Sequence, residues 1–491
     1  MTDLAEPGEF GVRLGKRARL ADPYPVGYPR THTIAEVRLH GADLPPDTFT
    51  GQTVSIGGRV MLFRTGGKLC FATLRDGTGD VQVMVSLDRV GAGSLAAWKR
   101  DVDLADHVGV TGEVITSRTG ELSVLASGWA MTAKALRPLP DKHKGLTDAE
   151  ARIRQRYLDL IVNPRTRALA YARAAVMASV REGLSSRGYL EVETPVLTAR
   201  HGGANARPFI THGNAYGSRL YLRIAVELYL KRLIIGGLEK VYEIGRIFRN
   251  EGVDSTHNPE FTMLEAYQAY GDYDTMAELT RSLVQEAARA AFGSTVITRA
   301  DGEQYDIGGP WRSVTVHAAV SAAAGVEVTP DSALAELRAL CDRLNVPVQP
   351  GWNHGQIVLE MYERLVEKQT TEPTFYRDFP VEVSPLTRAH RSDPRLAERW
   401  DLVMFGMELG TAYSELTDPV QQRERLTAQS LLAAGGDAEA MELDEDFLRA
   451  LEHGMPPTGG LGLGIDRLLI ALTGASIRDT ILFPFTRPLS T

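Results

Sequence analysis

Phe248-Arg249-Asn250-Glu251-Gly252 leads through a polar loop into Asn258-Pro259-Glu260-Phe261-Thr262-Met263-Leu264-Glu265. Residues 241–249 alternate, which places Glu243, Gly245, Ile247 and Arg249 on one strand face. Phe261, Met263, Glu265 and Tyr267 share one face of a second run. Residues 250–259 are rich in turn formers, so the two runs read as an antiparallel hairpin with charge and aromatics on one surface. Such a surface suits activation of a carboxylic acid by ATP. The acid is already an anion at neutral pH, so the work is electrostatic: cationic donors bear charge developing on the phosphate.

A second arginine, Arg467, ends Gly462-Leu463-Gly464-Ile465-Asp466-Arg467, after Pro456-Pro457-Thr458-Gly459-Gly460. The glycine run is expected to open a short apolar helix, where little side-chain bulk obstructs a polyphosphate. Asp401 and Glu408 flank an apolar stretch, and Glu415 follows in Thr411-Ala412-Tyr413-Ser414-Glu415. Carboxylates beside a triphosphate suit Mg²⁺, a hard cation that takes carboxylate and phosphate oxygens together.

The hairpin and the glycine-rich arginine string resemble motifs 2 and 3 of the class II aminoacyl-tRNA synthetases. Glu191-Val192-Glu193-Thr194-Pro195-Val196-Leu197, after a long helix, resembles motif 1. Across nearly the whole chain the strings are similar to the subclass IIb lysyl-tRNA synthetases. The resemblance implies ATP as co-substrate, Mg²⁺ as cofactor, and lysine and its tRNA as partners. It implies that Arg249 contacts the α-phosphate and the substrate carboxylate, and that Phe261 stacks on adenine. Glu251 and His257 would orient the nucleotide, Arg467 would hold the γ-phosphate end, and Asp401 and Glu408 would hold the metal. A lysine side chain needs buried anions, for which Glu265 and Glu415 are the candidates, with Tyr267 supplying a hydroxyl. Glu227 would take the α-amino group and Gly203 would close over it. Motif 1 implies a two-fold homodimer.

Three positions depart from the family pattern. Thr411 stands where an asparagine commonly contacts substrate, Val226 replaces the usual proline before Glu227, and Tyr216-Gly217-Ser218-Arg219 is short and basic. These leave three readings open. The first is a lysine–tRNA ligase, including the synthetase portion of bacterial proteins that pass lysine from tRNA to phosphatidylglycerol. The second is a catalytically weak paralogue that binds RNA or lysine. The third, an aspartate or asparagine enzyme, is disfavoured because Glu265 and Glu415 offer anions where those substrates need cations or amide partners.

The rest of the sequence frames this site. With 491 residues, more than one domain is expected. From Thr53 onward, short alternating runs separated by Gly66-Gly67 and Asp76-Gly77-Thr78-Gly79 predict a small β-barrel of about five strands. The resemblance makes this an OB-fold in which Arg64, Phe71, Gln82 and Glu121 read the anticodon. The fold class is α+β, with a catalytic domain built on an antiparallel sheet flanked by helices. The expected boundaries are an extension at 1–50, the barrel at 51–140, a linker at 141–165 and the catalytic domain at 166–491. Residues 10–20 read as a short helix, 166–187 as a long one, and about 275–395 as largely helical. The net charge of −8 supplies no global basic field, although Arg13, Lys16, Arg17 and Arg19 could add phosphate contacts. Two separated cysteines, no signal-like N-terminus and no long apolar run suggest a cytoplasmic protein without a membrane segment.

Overall fold

The computed structural model describes residues 7–140, 146–215, 217–299, 302–434, 441 and 443–487. Tyr216 of the basic connector and part of the 141–165 linker lie outside the described residues. The chain divides into two compact units, residues 1–147 and 148–491.

In the first unit, five strands close a barrel in the order Phe49–Thr65, Leu69–Arg75, Asp80–Ser86, Leu122–Ala133, His107–Thr116. Strict alternation builds it: Cys70, Ala72 and Leu74 point inward, as do Val81, Val83 and Val85. A parallel pairing of Gln82 with Ser123 and Met84 with Leu125 closes the ring. Helix Leu87–Asp101, which the sequence reading did not foresee, plugs it with the fully buried Trp98. Gly91 at φ 80° and Gly93 interrupt the apolar period that would have announced this helix. The basic N-terminal helix Pro7–Arg19 spends its charge inside the unit. Arg13 pairs with Glu9, Lys16 with Asp103 and Arg19 with Asp101, so little of it remains for phosphate.

In the second unit an eight-stranded sheet runs in the order Arg312–Thr315, Thr374–Pro380, Leu396–Met404, Met407–Ser414, Thr458–Gly464, Glu260–Ala269, Lys240–Phe248, Leu190–Glu191. The six central strands are antiparallel; only the two edge pairings are parallel. One face carries Tyr242, Leu264, Ala266, Trp400, Ala412, Leu461 and Leu463 into a core with helices Pro164–Ser185, Tyr273–Phe292 and Ile465–Thr473. The period of two turns Phe261, Met263, Glu265 and Tyr267 to the opposite face, where a cavity opens. Helices Val316–Ala324, Leu334–Leu344 and His354–Leu365 form a separate core at one sheet end. The region expected to be largely helical thus also holds two strands of this sheet and a separate two-stranded sheet, Val296–Thr298 with Gln304–Asp306.

The glycine run differs from expectation. Residues Thr458–Gly464 form a central strand, and the helix begins only at Ile465. Close approach explains two of its glycines, Gly459 against the Asp272 backbone and Gly460 against the cavity floor. A Cβ on Gly460 would lie 1.9 Å from Glu415 Oε1 and 2.5 Å from the Tyr267 ring. Any side chain there would fill the floor of the cavity.

Candidate adenylate and amino-acid site

The hairpin of Lys240–Phe248 and Glu260–Ala269 pairs in unbroken register, from Lys240 opposite Gln268 to Phe248 opposite Glu260. At its open end Arg249 donates its backbone N–H to Pro259, which closes the intervening loop. A cavity of about 360 Å³ lies over this surface. It is lined by Gly203, Glu227, Arg249, Glu251, His257, Phe261, Glu265, Tyr267, Glu408, Thr411 and Arg467. Eleven candidates scattered over 260 residues of sequence therefore converge.

One end of the cavity is cationic. The Arg249 guanidinium lies 5.3 Å from the Phe261 ring centre. Burial and the repulsion of Arg467 lower its proton affinity, opposed by Glu251, Glu408 and Glu265. Arg467, in the first turn of helix Ile465–Thr473, donates to the Glu408 carbonyl at 2.9 Å. Its other nitrogen lies 3.2 Å from His257 Nε2. His257 is oriented through Nδ1 by Asp254, 2.8 Å away. Burial would raise the Asp254 carboxyl, but hydrogen bonds from Thr256 and His257 outweigh it and hold the acid at about 2. Helix Ile465–Thr473 is itself fixed by Asp466, which accepts from Arg173 and from the Thr262 backbone.

The other end is anionic. Glu265 is 4 % exposed and accepts from the Val226 N–H at 3.0 Å and the Tyr267 hydroxyl at 3.1 Å. Burial, then repulsion by Glu227, pushes its acid to about 7 despite those bonds and the field of Arg249. Glu227 is buried at the start of helix Glu227–Ile235. Gly203 sits at φ +83°, where an added Cβ would press within 3.2 Å of Glu227 Cβ. Glu415 lies just behind this wall rather than on it, 2 % exposed and 2.5 Å from Lys231. Burial drives its acid to about 8. The sequence reading missed Lys231; its i, i+4 spacing from Glu227 was the available signal.

Asp401 does not line the cavity. It is buried on the strand Leu396–Met404 and held in a two-bond pair with Arg399, at 3.0 and 2.8 Å. Thr411 faces it in register and donates to the Trp400 carbonyl at 3.2 Å. Glu408, on the paired strand, is half-buried. Two further acids, Glu363 and Glu367, share their field. Burial, then Glu408, Asp401 and Glu363, raises Glu367 to about 7. Among the described residues no three such side chains converge tightly enough to hold a metal unaided. A crowded acidic field with one half-open carboxylate fits a cation that completes its shell with substrate phosphates.

In the barrel unit, Arg64 lies directly opposite Phe71 across adjacent strands. Phe71 points outward, between the inward Cys70 and Ala72, and is half-buried. Gln82 sits two strands from Arg64 and donates to Ser123 Oγ at 2.9 Å. Glu121 is exposed just before the fifth strand.

Comparison with known proteins adds the decisive observation. Residues 148–487 match the model of tRNA synthetases class II (D, K and N). The chain belongs to this family. Residues 54–131 match the OB-fold nucleic acid binding domain that accompanies this synthetase's catalytic unit. The synthetase is 56 % identical over 499 residues to the lysine–tRNA ligase of Mycobacterium tuberculosis (strain ATCC 25177 / H37Ra), covering 99 % of both chains. It is 59 % identical over 490 residues to the lysylphosphatidylglycerol biosynthesis bifunctional protein LysX of Nocardia farcinica. That match takes in 98 % of this chain but 43 % of the relative, so the chain spans less than half of that protein's length. No helix among the described residues is long and apolar enough to cross a membrane.

Proposed function

We propose that the chain is a lysine–tRNA ligase, which activates lysine with ATP and transfers it to the 3′ end of lysine tRNA. One observation carries the choice of amino acid: Glu227 and Glu265 line one end of the cavity, with Glu415 just behind them, while Arg249 and Arg467 stand at the other. A substrate with two ammonium groups and a carboxylate matches that polarity. An acidic or amide side chain would leave buried carboxylates unpaired, at a cost of several kcal/mol.

In the activation step a lysine carboxylate oxygen attacks the α-phosphorus of ATP. The bond to the bridging oxygen breaks and pyrophosphate leaves. No base is needed, because the nucleophile is already ionised. Arg249 bears charge at the α-phosphate and Phe261 offers a face to adenine. Arg467, tied to His257, receives the far phosphate. Glu227 holds the α-amino group, while Glu265 and Tyr267 hold the side-chain ammonium and Glu415 adds its charge from behind the wall. Glu408 would hold Mg²⁺, with Asp401 adding its charge from its pair with Arg399 behind the cavity wall, and the ion would supply charge neutralisation for the departing pyrophosphate. In the second step the 3′-hydroxyl of the terminal adenosine attacks the activated carbonyl, giving lysyl-tRNA and AMP.

The barrel at 51–140 is the anticodon reader in this proposal, with Phe71 stacking on a base and Arg64, Gln82 and Glu121 at base edges. A homodimer is proposed from motif 1, where Leu190, Val196, Leu197 and Ile210 expose apolar surface at the sheet edge and the small sheet beside it. A cytoplasmic location completes the reading. The test is amino-acid-dependent ATP–pyrophosphate exchange across all standard amino acids, then charging of lysine tRNA. Exchange with lysine and charging are expected; ATP binding without exchange would favour the RNA- or lysine-binding paralogue.

A further inference from the structure

Lys231 plays no part in the chemistry above, yet it is fully buried against it. Its stem rises one turn after Glu227 on helix Glu227–Ile235. Nζ donates to Glu227 Oε1 at 2.6 Å and lies 2.5 Å from Glu415 Oε2. One resident cation therefore sits on the carboxylates assigned to the two ends of bound lysine. Burial would lower its proton affinity, but the fields of Glu227 and Glu415 outweigh that and keep it protonated. Glu265, Tyr267, Tyr413 and Arg249 also face this group of carboxylates. Of these four only Arg249 is positive, and its field falls on Glu265.

We propose that Lys231 is a positioning residue for amino-acid selection, a resident countercharge that eases ionisation of Glu227 and Glu415 as substrate binds and matches the pocket to a dication. The inference rests on the lysine reading. With all three carboxylates ionised around bound substrate, one resident ammonium leaves two negative charges, and lysine brings two ammonium groups once its carboxylate faces Arg249. An amino acid with a neutral side chain brings one, and leaves a buried carboxylate unpaired. Without Lys231 the balance becomes three against two. The pocket then holds an extra proton, which lysine must displace on binding.

The experiment measures the lysine KM and the ATP KM in pyrophosphate exchange from pH 6 to 9, for the full chain and for Lys231→Met and Lys231→Arg. In Lys231→Met the lysine KM at pH 7 should rise about tenfold or more, the equivalent of raising the carboxyl group by about one pKa unit. Its pH dependence should steepen while the ATP KM stays put, and Lys231→Arg should move both lysine readouts back toward the parent. If Lys231→Met is not recovered folded, Lys231→Gln, which keeps a donor without the charge, carries the same expectation. An unchanged lysine KM and slope would overturn the proposal. So would parallel losses for lysine and ATP, which mark a merely structural role. A parent chain without lysine-dependent exchange would instead strike the lysine reading beneath it.

Discussion

Lysine binding should depend on pH in a range where ATP binding does not, and Glu265 sets the size of the effect. Among the described residues this carboxyl has no cation in contact; it is held by the Val226 N–H and the Tyr267 hydroxyl. Burial and Glu227 raise it from the ordinary 4.5 to about 7. Only the ionised form can neutralise a buried ammonium. The ionised share falls from about 0.9 at pH 8 to about 0.1 at pH 6, so lysine Kd should rise about tenfold, or about 1.4 kcal/mol. Glu415, raised to about 8, adds to the effect in the same direction. The substrate's own ammonium groups titrate above this window and contribute little. Glu265→Gln should remove this residue's share of the slope. It should also weaken lysine at pH 8 by about 10- to 100-fold, given about 1.5–3 kcal/mol for a hydrogen bond to a charged group. The sign for stability is the opposite of the usual paired carboxylate. A folded-state value raised above the unfolded one gives stability that is present below about 4.5 and lost as pH rises to about 7. Lysine offsets that loss, so its gain in Tm should be larger at pH 8 than at pH 6. Calorimetric titration with lysine and with ATP across pH 6–9 measures all of this. A lysine Kd that stays flat while ATP binding stays intact would refute the argument.

Val226→Pro removes the donor to Glu265 Oε1; the midpoint of the lysine profile should move up by about one pH unit or more, measured as KM against pH. Phe71→Ala should lower kcat/KM for tRNA charging by about 10- to 100-fold, about 1–3 kcal/mol of lost stacking, while tRNA-free exchange keeps its rate. An equal loss in both assays would count against an anticodon role. Chelation of divalent metal should abolish exchange, and Glu408→Gln should shift its Mg²⁺ titration to about tenfold higher concentration. An unshifted titration would remove Glu408 from the proposed ligands.

What could be read from the chain divides along a physical line. The hairpin was legible because its signals are local: alternation fixes the face, and a turn-rich loop fixes the reversal. The barrel strands were legible for the same reason, as the inward Cys70, Ala72 and Leu74 demonstrate. Helix Leu87–Asp101 was not, because Gly91 and Gly93 break its period, and Trp98 is buried by the barrel rather than by its own helix. The run Thr458–Gly464 misled for a related reason. Glycine is poor for a strand in isolation, and the side chains of Glu415 and Tyr267, brought close by folding, explain its presence at Gly460. Lys231 was hidden more deeply. A glutamate four residues before a lysine on a helix usually marks a solvated pair worth a few tenths of a kcal/mol. Here Glu415 arrives from the end of a distant strand to complete the group. Val226 belongs with it. As a departure from proline it looked like a weakness, yet it supplies the N–H that Glu265 accepts. Substitutions at such positions are therefore better judged by the protonation state they impose on the three glutamates than by similarity of side chain.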